Sequence, residues 1–184
     1  MRLSQDMVAA SPLMCFSRIV AYIFLMGTCD ALRASVFGAS GGVGQLICNT
    51  LTKMDGIDSV VAVSRSAKSL APFELLNGCT FIEADALQIG TLRPALSGAD
   101  YVIISVGTTA FPTKKWDNGN DPQTACVKTV ETILQSISDS GDIPKKIVLL
   151  SSIGVETVDK MPFKLLNSFG VLDAKRQSEE LLFR

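Results

Sequence analysis

From residue 34 onward, short apolar runs alternate with stretches of helical periodicity. The runs at 34–38, 59–64, 80–83, 100–106 and 146–151 read as strands. The second, SVVAVS, is continuously apolar, as expected of a strand buried on both faces of a parallel sheet. Between the first two runs, Val43, Leu46, Ile47 and Leu51 recur at helical spacing, which predicts a helix over 42–53 with those residues on one face. Further helices are expected over 67–76, over 124–138 and at the C-terminus, with a polar loop rich in Gly, Pro, Asn and Thr at 107–123. Strands that alternate with helices predict an α/β fold: a doubly wound, Rossmann-type parallel sheet, with five strands in this chain.

The first strand-to-helix junction carries the densest signal. The stretch at 34–44 reads ASVFGASGGVG, with Gly38, Gly41 and Gly44 spaced G-x-x-G-x-x-G. In that arrangement the first Gly makes a tight turn, the middle one removes a Cβ from the path of a phosphate, and the last lets helix and strand pack closely. The helix that starts near Gly42 aims its free N–H groups and positive dipole end at the same anion. Gly38, Ser40, Gly41, Gly42, Val43 and Gly44 are therefore candidate cofactor-binding residues. A glycine triplet alone also fits a plain turn. The strand before it, the helix after it and a second strand ending about 20 residues on supply the dinucleotide-binding layout.

Ligands of such sheets bind beyond the carboxyl ends of the strands, so the residue after each strand is informative. After the second come Ser64, Arg65 and Ser66, with Lys68 nearby. An acidic residue there would hold a ribose 2′-hydroxyl, whereas Arg65 suits a 2′-phosphate bidentately, which predicts NADP rather than NAD. A solvated surface arginine is the alternative. After the third strand come Asp85, whose carboxylate could accept from an adenine amino group, and Ala86. Gly107, Thr108 and Thr109 follow the fourth, small enough for backbone to lie along a cofactor. Ser151 and Ser152 follow the fifth, where serines also serve as caps and turn residues.

Composition narrows the chemistry. The 184 residues suffice for one domain with a real core, and a hydrophobic content of 47% excludes a disordered chain. A net charge of −1 offers no basic field for nucleic acid. With no histidine, Ser-His-Asp and Cys-His catalysis and His-ligated metal sites are excluded. The five cysteines (15, 29, 48, 79 and 126) are odd in number and contain no C-x-x-C pair, which argues against a disulfide framework or a zinc site. Cys48 and Cys79 read as small core residues.

Residues 1–30 read as a signal or targeting segment, and 34–184 as the nucleotide-binding domain. The run IVAYIFLM at 19–26 follows Arg2 and Arg18 and precedes Gly27, Thr28 and Cys29: a basic flank, a short apolar core and a small-residue exit. A spanning helix needs ~20 apolar residues. Arg18 and Asp30 confine this run to fewer, so no stable membrane span is expected after processing. A wrongly assigned start or a buried N-terminal helix is the alternative.

The phosphate turn, Arg65, Asp85, Gly107, the serine pair 151–152 and a lysine-bearing last helix follow the order of the short-chain dehydrogenase/reductase superfamily, and the chain resembles its atypical branch. GTTAFPTKKW (107–116), SSIGVE (151–156) and NSFGVLDAK (167–175) further resemble a group of plastid NAD(P)-binding proteins of plants and algae. The resemblance runs from about residue 35 to the end. It implies a Rossmann-type domain, an NADP-preferring site and a plastid location, reached through an ER-type signal; a cytoplasmic or secretory location is the alternative. The superfamily's catalytic pair is Y-x-x-x-K, backed by a serine after the fifth strand. The resemblance places Lys175 at the lysine and Ser152 at the serine, the two candidate catalytic residues, but Val171 at the tyrosine. Valine has no proton to give. Lys175 then remains as a clamp on the nicotinamide ribose. Thr132 stands where the superfamily commonly carries Asn.

Relatives in the superfamily continue into a sixth strand and a small substrate lobe. Their lack here would leave the fifth strand at an open edge: either the sequence is a fragment or shortened gene model, or a protein partner supplies the missing part. Two functions stand side by side: an NADP-binding protein that uses the nucleotide as a structural or sensing ligand, in plastid assembly or redox regulation, and an active NADPH-dependent oxidoreductase of unknown substrate.

Overall fold

The computed structural model describes residues 31–66, 73–114, 116 and 119–183. The expected leader over 1–30, Lys68 and most of the expected helix over 67–76 lie outside them. Five parallel strands form one sheet: β1 (Leu32–Phe37), β2 (Ile57–Ser64), β3 (Thr80–Glu83), β4 (Tyr101–Ile104) and β5 (Lys146–Leu149), in the order β3-β2-β1-β4-β5. The helices are α1 (Gly42–Leu51), α2 (Arg93–Leu96), α3 (Thr129–Ser140), α4 (Phe163–Leu166) and α5 (Val171–Leu182). Short 3₁₀ turns at Glu74–Leu76 and Ile89–Thr91 flank β3. The doubly wound Rossmann-type sheet is therefore observed, with β5 paired only to β4 among the described residues.

Strand periodicity divides the core between the two faces of the sheet. Ala34, Val36, Val60, Ala62 and Ile103 pack on one face with Cys48 and Leu51 of α1 and with Leu76. Phe37, Val61, Val63, Val102 and Ile104 pack on the other, with Leu92, Ala95 and Leu96 beside α2 and with Val130, Ile133 and Ile137 of α3. Both faces are dry, which is why the second strand shows no polar alternation. Ser35 is the exception in β1, and its buried hydroxyl is satisfied by donating to the Ala95 carbonyl.

The buried face of α1 differs from the expected one. Gly44, Cys48 and Leu51 face the sheet, Ile47 is half-buried, and Val43 and Leu46 are exposed (39% and 51%). The cause is Gly44: a Cβ there would overlap the Gly38 carbonyl oxygen, so this is the line along which α1 touches β1. A hydrophobic period marks a stripe, and the residue without a side chain marks the closest approach.

The expected helix over 124–138 is two structures. Gln123–Lys128 is a π-helical stretch that runs into α3, and α3 ends at Gly141 in the left-handed conformation (φ 72°), whose N–H donates to the Ile137 carbonyl. At the C-terminus, Asn167 fixes the start of α5. Its Oδ1 accepts from the N–H groups of Leu172 (2.9 Å) and Asp173 (3.1 Å), and Gly170 (φ 75°) makes the turn between. Among the described residues no helix is long and apolar enough to cross a membrane, and no cluster of His, Cys, Asp or Glu could hold a metal ion.

Candidate functional site

A cleft of about 540 Å³ opens at the carboxyl ends of the strands, where the chain order of the sheet reverses between β1 and β4. Gly38 and the turn to α1 form one wall. Gly38 has φ 84°, and a Cβ on it would stand 2.9 Å from the Ser105 carbonyl carbon, so this corner admits no other residue without movement. Its carbonyl accepts from Gly41 N–H (3.0 Å). Ser105 Oγ donates to the Phe37 carbonyl (3.0 Å), which ties the end of β4 to the end of β1. No side chain caps α1, and its first backbone bond is Gln45 N–H to the Gly41 carbonyl (2.9 Å), which leaves the earlier N–H groups facing outward. A Cβ at Gly42 would meet nothing within 4 Å. This is a bare helix N-terminus beside a glycine corner, the geometry that receives a phosphate group.

Of the residues expected to bind a cofactor, Gly38, Ser40, Gly41, Ser64, Arg65, Asp85, Ala86, Gly107, Thr108 and Thr109 line the cleft. Gly42, Val43, Gly44, Ser66 and Lys175 are not in its lining. Gly44 serves the contact of α1 with β1 instead, and Ser66 N–H turns back to Ser64 Oγ (3.4 Å). Arg65 is exposed at the rim and makes no ion pair among the described residues.

Asp85 faces the cleft but is also engaged in its own loop. Its carboxylate accepts from Leu87 N–H (3.0 Å) and from Gln88 Nε2 (3.3 Å), an Asx turn that starts the Ile89–Thr91 segment. Thr109 pins the following loop: its hydroxyl donates to the Phe111 carbonyl (2.9 Å) and accepts from Trp116 Nε1 (3.2 Å). Trp116 and Phe111 both stand edge-on to Phe169, with centroids 6.1 and 6.0 Å away. Both aromatics of the loop thus anchor it to the segment before α5.

Lys175 is buried, against the expectation for a lone helix lysine. Its Nζ donates to the carbonyls of Leu150 (2.8 Å) and Val106 (3.1 Å), a strut between the ends of β5 and β4, and a Cβ on Gly107 would stand 3.5 Å from it. Burial pulls its pKa below the ordinary lysine value, opposed by Cys126 and Glu179. The neighbouring Cys126 thiol, which accepts from Thr108 N–H, is pushed up by burial. Val171, which the resemblance sets at the tyrosine of the Y-x-x-x-K pair, lies in an apolar cluster with Val155 and Leu172.

The two serines after β5 divide. Ser152 is exposed, outside the cleft lining, and its Oγ makes only a long bond to the Ile153 carbonyl (3.4 Å). Ser151 Oγ is buried with no partner among the described residues, as is Thr108 Oγ1, whose residue lines the cleft. An unpaired buried hydroxyl costs about 1–3 kcal/mol, so Thr108 Oγ1 is a candidate ligand contact. Sequence reading did not single out the polar or small residues Ser105, Gly119, Asn120, Ala125 and Thr129, which also line the cleft, as do Phe37, Val63, Ala84, Leu87 and Val106. Ala125 and Thr129 come from the π-helical stretch and the first turn of α3. The wide turn that brings them in leaves no mark in a hydrophobic pattern.

Fold and cleft together define a Rossmann-type nucleotide-binding domain: a glycine corner, an uncapped helix N-terminus and strand-end residues around a crevice at the switch point. The family model described as NAD(P)H-binding matches residues 38–184, and the chain belongs to that family. Solved structures share the fold. A protein from Bacillus halodurans assigned as an NAD-dependent epimerase/dehydratase is 20% identical, with TM-score 0.65 over 84% of this chain and 65% of its own. A short-chain dehydrogenase/reductase from Veillonella parvula in complex with NADP is 18% identical (TM-score 0.56; 83% of this chain, 64% of its own). An NADPH-dependent quinone oxidoreductase from Escherichia coli complexed with NADPH is also 18% identical (TM-score 0.59; 83% and 44%). This chain thus spans just under two thirds of the length of the first two. A comparison with curated proteins finds no match by sequence.

The residues present fit an NAD(P) group. The glycine corner leaves room for a pyrophosphate, the helix N-terminus offers it N–H groups, and Thr108 Oγ1 is a buried hydroxyl in need of a partner.

Proposed function

We propose that the chain binds NADP in preference to NAD and uses it as a structural or sensing ligand. Val171 carries this reading: a buried apolar side chain occupies the place of the proton donor. The engagement of Lys175 by two main-chain carbonyls supports it, because that ammonium is a strut of the sheet before it is anything else. Gly38, Ser40 and Gly41 with the start of α1 would hold the pyrophosphate, Thr108 a ribose or amide group, and Arg65 the 2′-phosphate. Arg65 stands at the cleft rim, and no ion pair competes for it among the described residues. Were the chain to turn over, bound NADPH would supply a hydride. The signal-like N-terminus and the resemblance to plastid proteins support delivery to a plastid through an ER-type signal, with removal of residues 1–30. The edge position of β5 supports a protein partner there.

The second reading, an active oxidoreductase, draws on one observation: Ser151 Oγ and Thr108 Oγ1 are unpartnered hydroxyls at the ends of adjacent strands. Titration of the full chain with NADPH and NADH tests the binding. Tighter binding of NADPH is expected, and loss of that preference in Arg65→Asp. Equal affinities would overturn the assignment of Arg65. NADPH consumption with a panel of carbonyls and quinones separates the two readings, and sustained turnover would favour the second.

A further inference from the structure

Lys175 stands behind the cleft rather than in it. Its side chain is buried, and it is absent from the cleft lining. Among the described residues, the last main-chain bond between the chains of β4 and β5 runs from Leu150 N–H to the Ile104 carbonyl (2.9 Å). Beyond it Lys175 Nζ bridges the two, donating to the Leu150 (2.8 Å) and Val106 (3.1 Å) carbonyls. The end of the side chain also lies against Gly107: a Cβ there would stand 3.5 Å from Nζ and 3.7 Å from Cε. Val106, Gly107 and Thr108 line the cleft, and Thr108 carries a buried hydroxyl with no partner among the described residues. The same stretch begins at Ser105, whose N–H (2.9 Å) and hydroxyl (3.0 Å) donate to the Phe37 carbonyl and whose own carbonyl group packs against Gly38. Residues 105–108 are thus gripped at one end by β1 and at the other by Lys175, and they form the cleft wall beside the glycine corner.

We propose that Lys175 is a positioning residue for the nucleotide: it holds the main chain at 106–108 in the shape that the adenosine and pyrophosphate half of NAD(P) meets, without touching the ligand. This rests on the reading of the cleft as an NAD(P) site. An ammonium has three N–H groups, and two of these are committed to carbonyls on opposite sides of the seam between β4 and β5. A buried carbonyl that loses its donor must turn to find another. Removal of the lysine therefore frees the Val106–Gly107 peptide plane to rotate, and Gly107 has no side chain to resist it. Rotation of that plane moves Thr108 on one side and, through Ser105, the wall against Gly38 on the other. A lysine that instead clamped the nicotinamide ribose would use its third N–H or leave its carbonyls, and its loss would weaken only ligands that carry that ribose. The two roles separate by which half of the nucleotide feels the substitution.

Titration of the full chain, of Lys175→Met and of Gly154→Ala with NADPH and with 2′-phospho-ADP tests it. The second ligand keeps the adenosine and the pyrophosphate and lacks the nicotinamide ribose. Lys175→Met is expected to weaken both ligands by a similar factor, roughly three- to thirtyfold. Gly154→Ala, strained at a residue outside the cleft lining, is expected to bind both as the parent does. The proposal is overturned if Lys175→Met weakens NADPH alone, if it changes neither affinity, or if Gly154→Ala loses as much. If the parent binds neither ligand, the nucleotide reading falls and this inference with it; the other failures leave that reading standing. Should Lys175→Met fail to fold, a crystal structure of the full chain with NADPH decides. Nζ is expected on the two carbonyls and beyond hydrogen-bond reach of the ligand, and Nζ on a ribose hydroxyl would overturn the proposal.

Discussion

Gly44→Ala tests the claim that the contact of α1 with β1 is set by a missing side chain. The added Cβ would overlap the Gly38 carbonyl oxygen and stand 2.8 Å from the Gly38 carbonyl carbon and 2.9 Å from Ala39 Cα. All three are backbone atoms, so no rotamer change relieves the clash. Ordinary carbon–carbon contact lies at about 3.5–4.0 Å, so α1 must retreat by roughly an ångström. A gap of that size forfeits about a quarter to a half of the dispersion well of every atom pair across it. Cys48 and Leu51 lie on the same face of α1 and would lose part of their contact with Val36, Val60 and Ala62. Overpacking of this kind costs about 1–3 kcal/mol or somewhat more, and the better helix propensity of Ala returns up to about 1 kcal/mol. A net loss of about 1–3 kcal/mol is expected, equivalent to a fall in Tm of about 2–12 °C for a domain of this size. Urea and thermal unfolding of the full chain, followed by circular dichroism, measure it. Gly42→Ala is the control: its Cβ meets nothing within 4 Å, so a change within about 0.5 kcal/mol is expected. The reasoning fails if Gly44→Ala is as stable as the parent, or if the two variants lose the same amount.

Three further expectations rest on the same geometry. Val171→Tyr restores the Y-x-x-x-K spacing but forces a ring into the cluster with Val155 and Leu172, so a loss of about 1–3 kcal/mol is expected by urea unfolding, with no gain in NADPH-dependent carbonyl reduction. Lys175→Met leaves the Val106 and Leu150 carbonyls without their donor and should cost about 1–3 kcal/mol near neutral pH. The pH dependence of that variant has a definite sign. Between the lowered native pKa of Lys175 and its ordinary 10.5, the unfolded chain binds more protons, so this lysine makes stability rise with pH there, and the variant should lack that rise in stability curves run alongside the parent. Gly154→Ala should cost about 1–3 kcal/mol in the same unfolding assay, because Gly154 has φ 91° and a Cβ there would overlap the Phe163 ring.

Much of the fold was legible because its signals are local. Five strand segments, the glycine turn and the order of strand ends follow from apolar runs and from the steric freedom of glycine. Half of the cleft lining followed too, because a parallel sheet puts the ends of its strands on one side. What was misread depends on contacts between distant segments. Val43 and Leu46 lie on the expected stripe of α1 but outside its contact with the sheet, since the Gly38 carbonyl selects Gly44 as the point of approach. The π-helical turn that brings Ala125 and Thr129 to the cleft has no hydrophobic period of its own.

The sequence by itself determined the class of this protein: the strand and helix pattern, the turn without side chains at 38–44, and the absence of tyrosine at 171 are facts of composition and spacing. Only the tertiary structure decided which polar groups are spent and which are left over. Ser151 and Ser152 are adjacent and identical in type, yet one hydroxyl is buried without a partner and the other is in solvent. The resemblance makes Lys175 a clamp on a nicotinamide ribose, and only the fold shows its Nζ between the Val106 and Leu150 carbonyls, which are far from it in the chain. Burial and hydrogen-bond partners belong to pairs of groups brought together by folding, and no single position along a chain carries them.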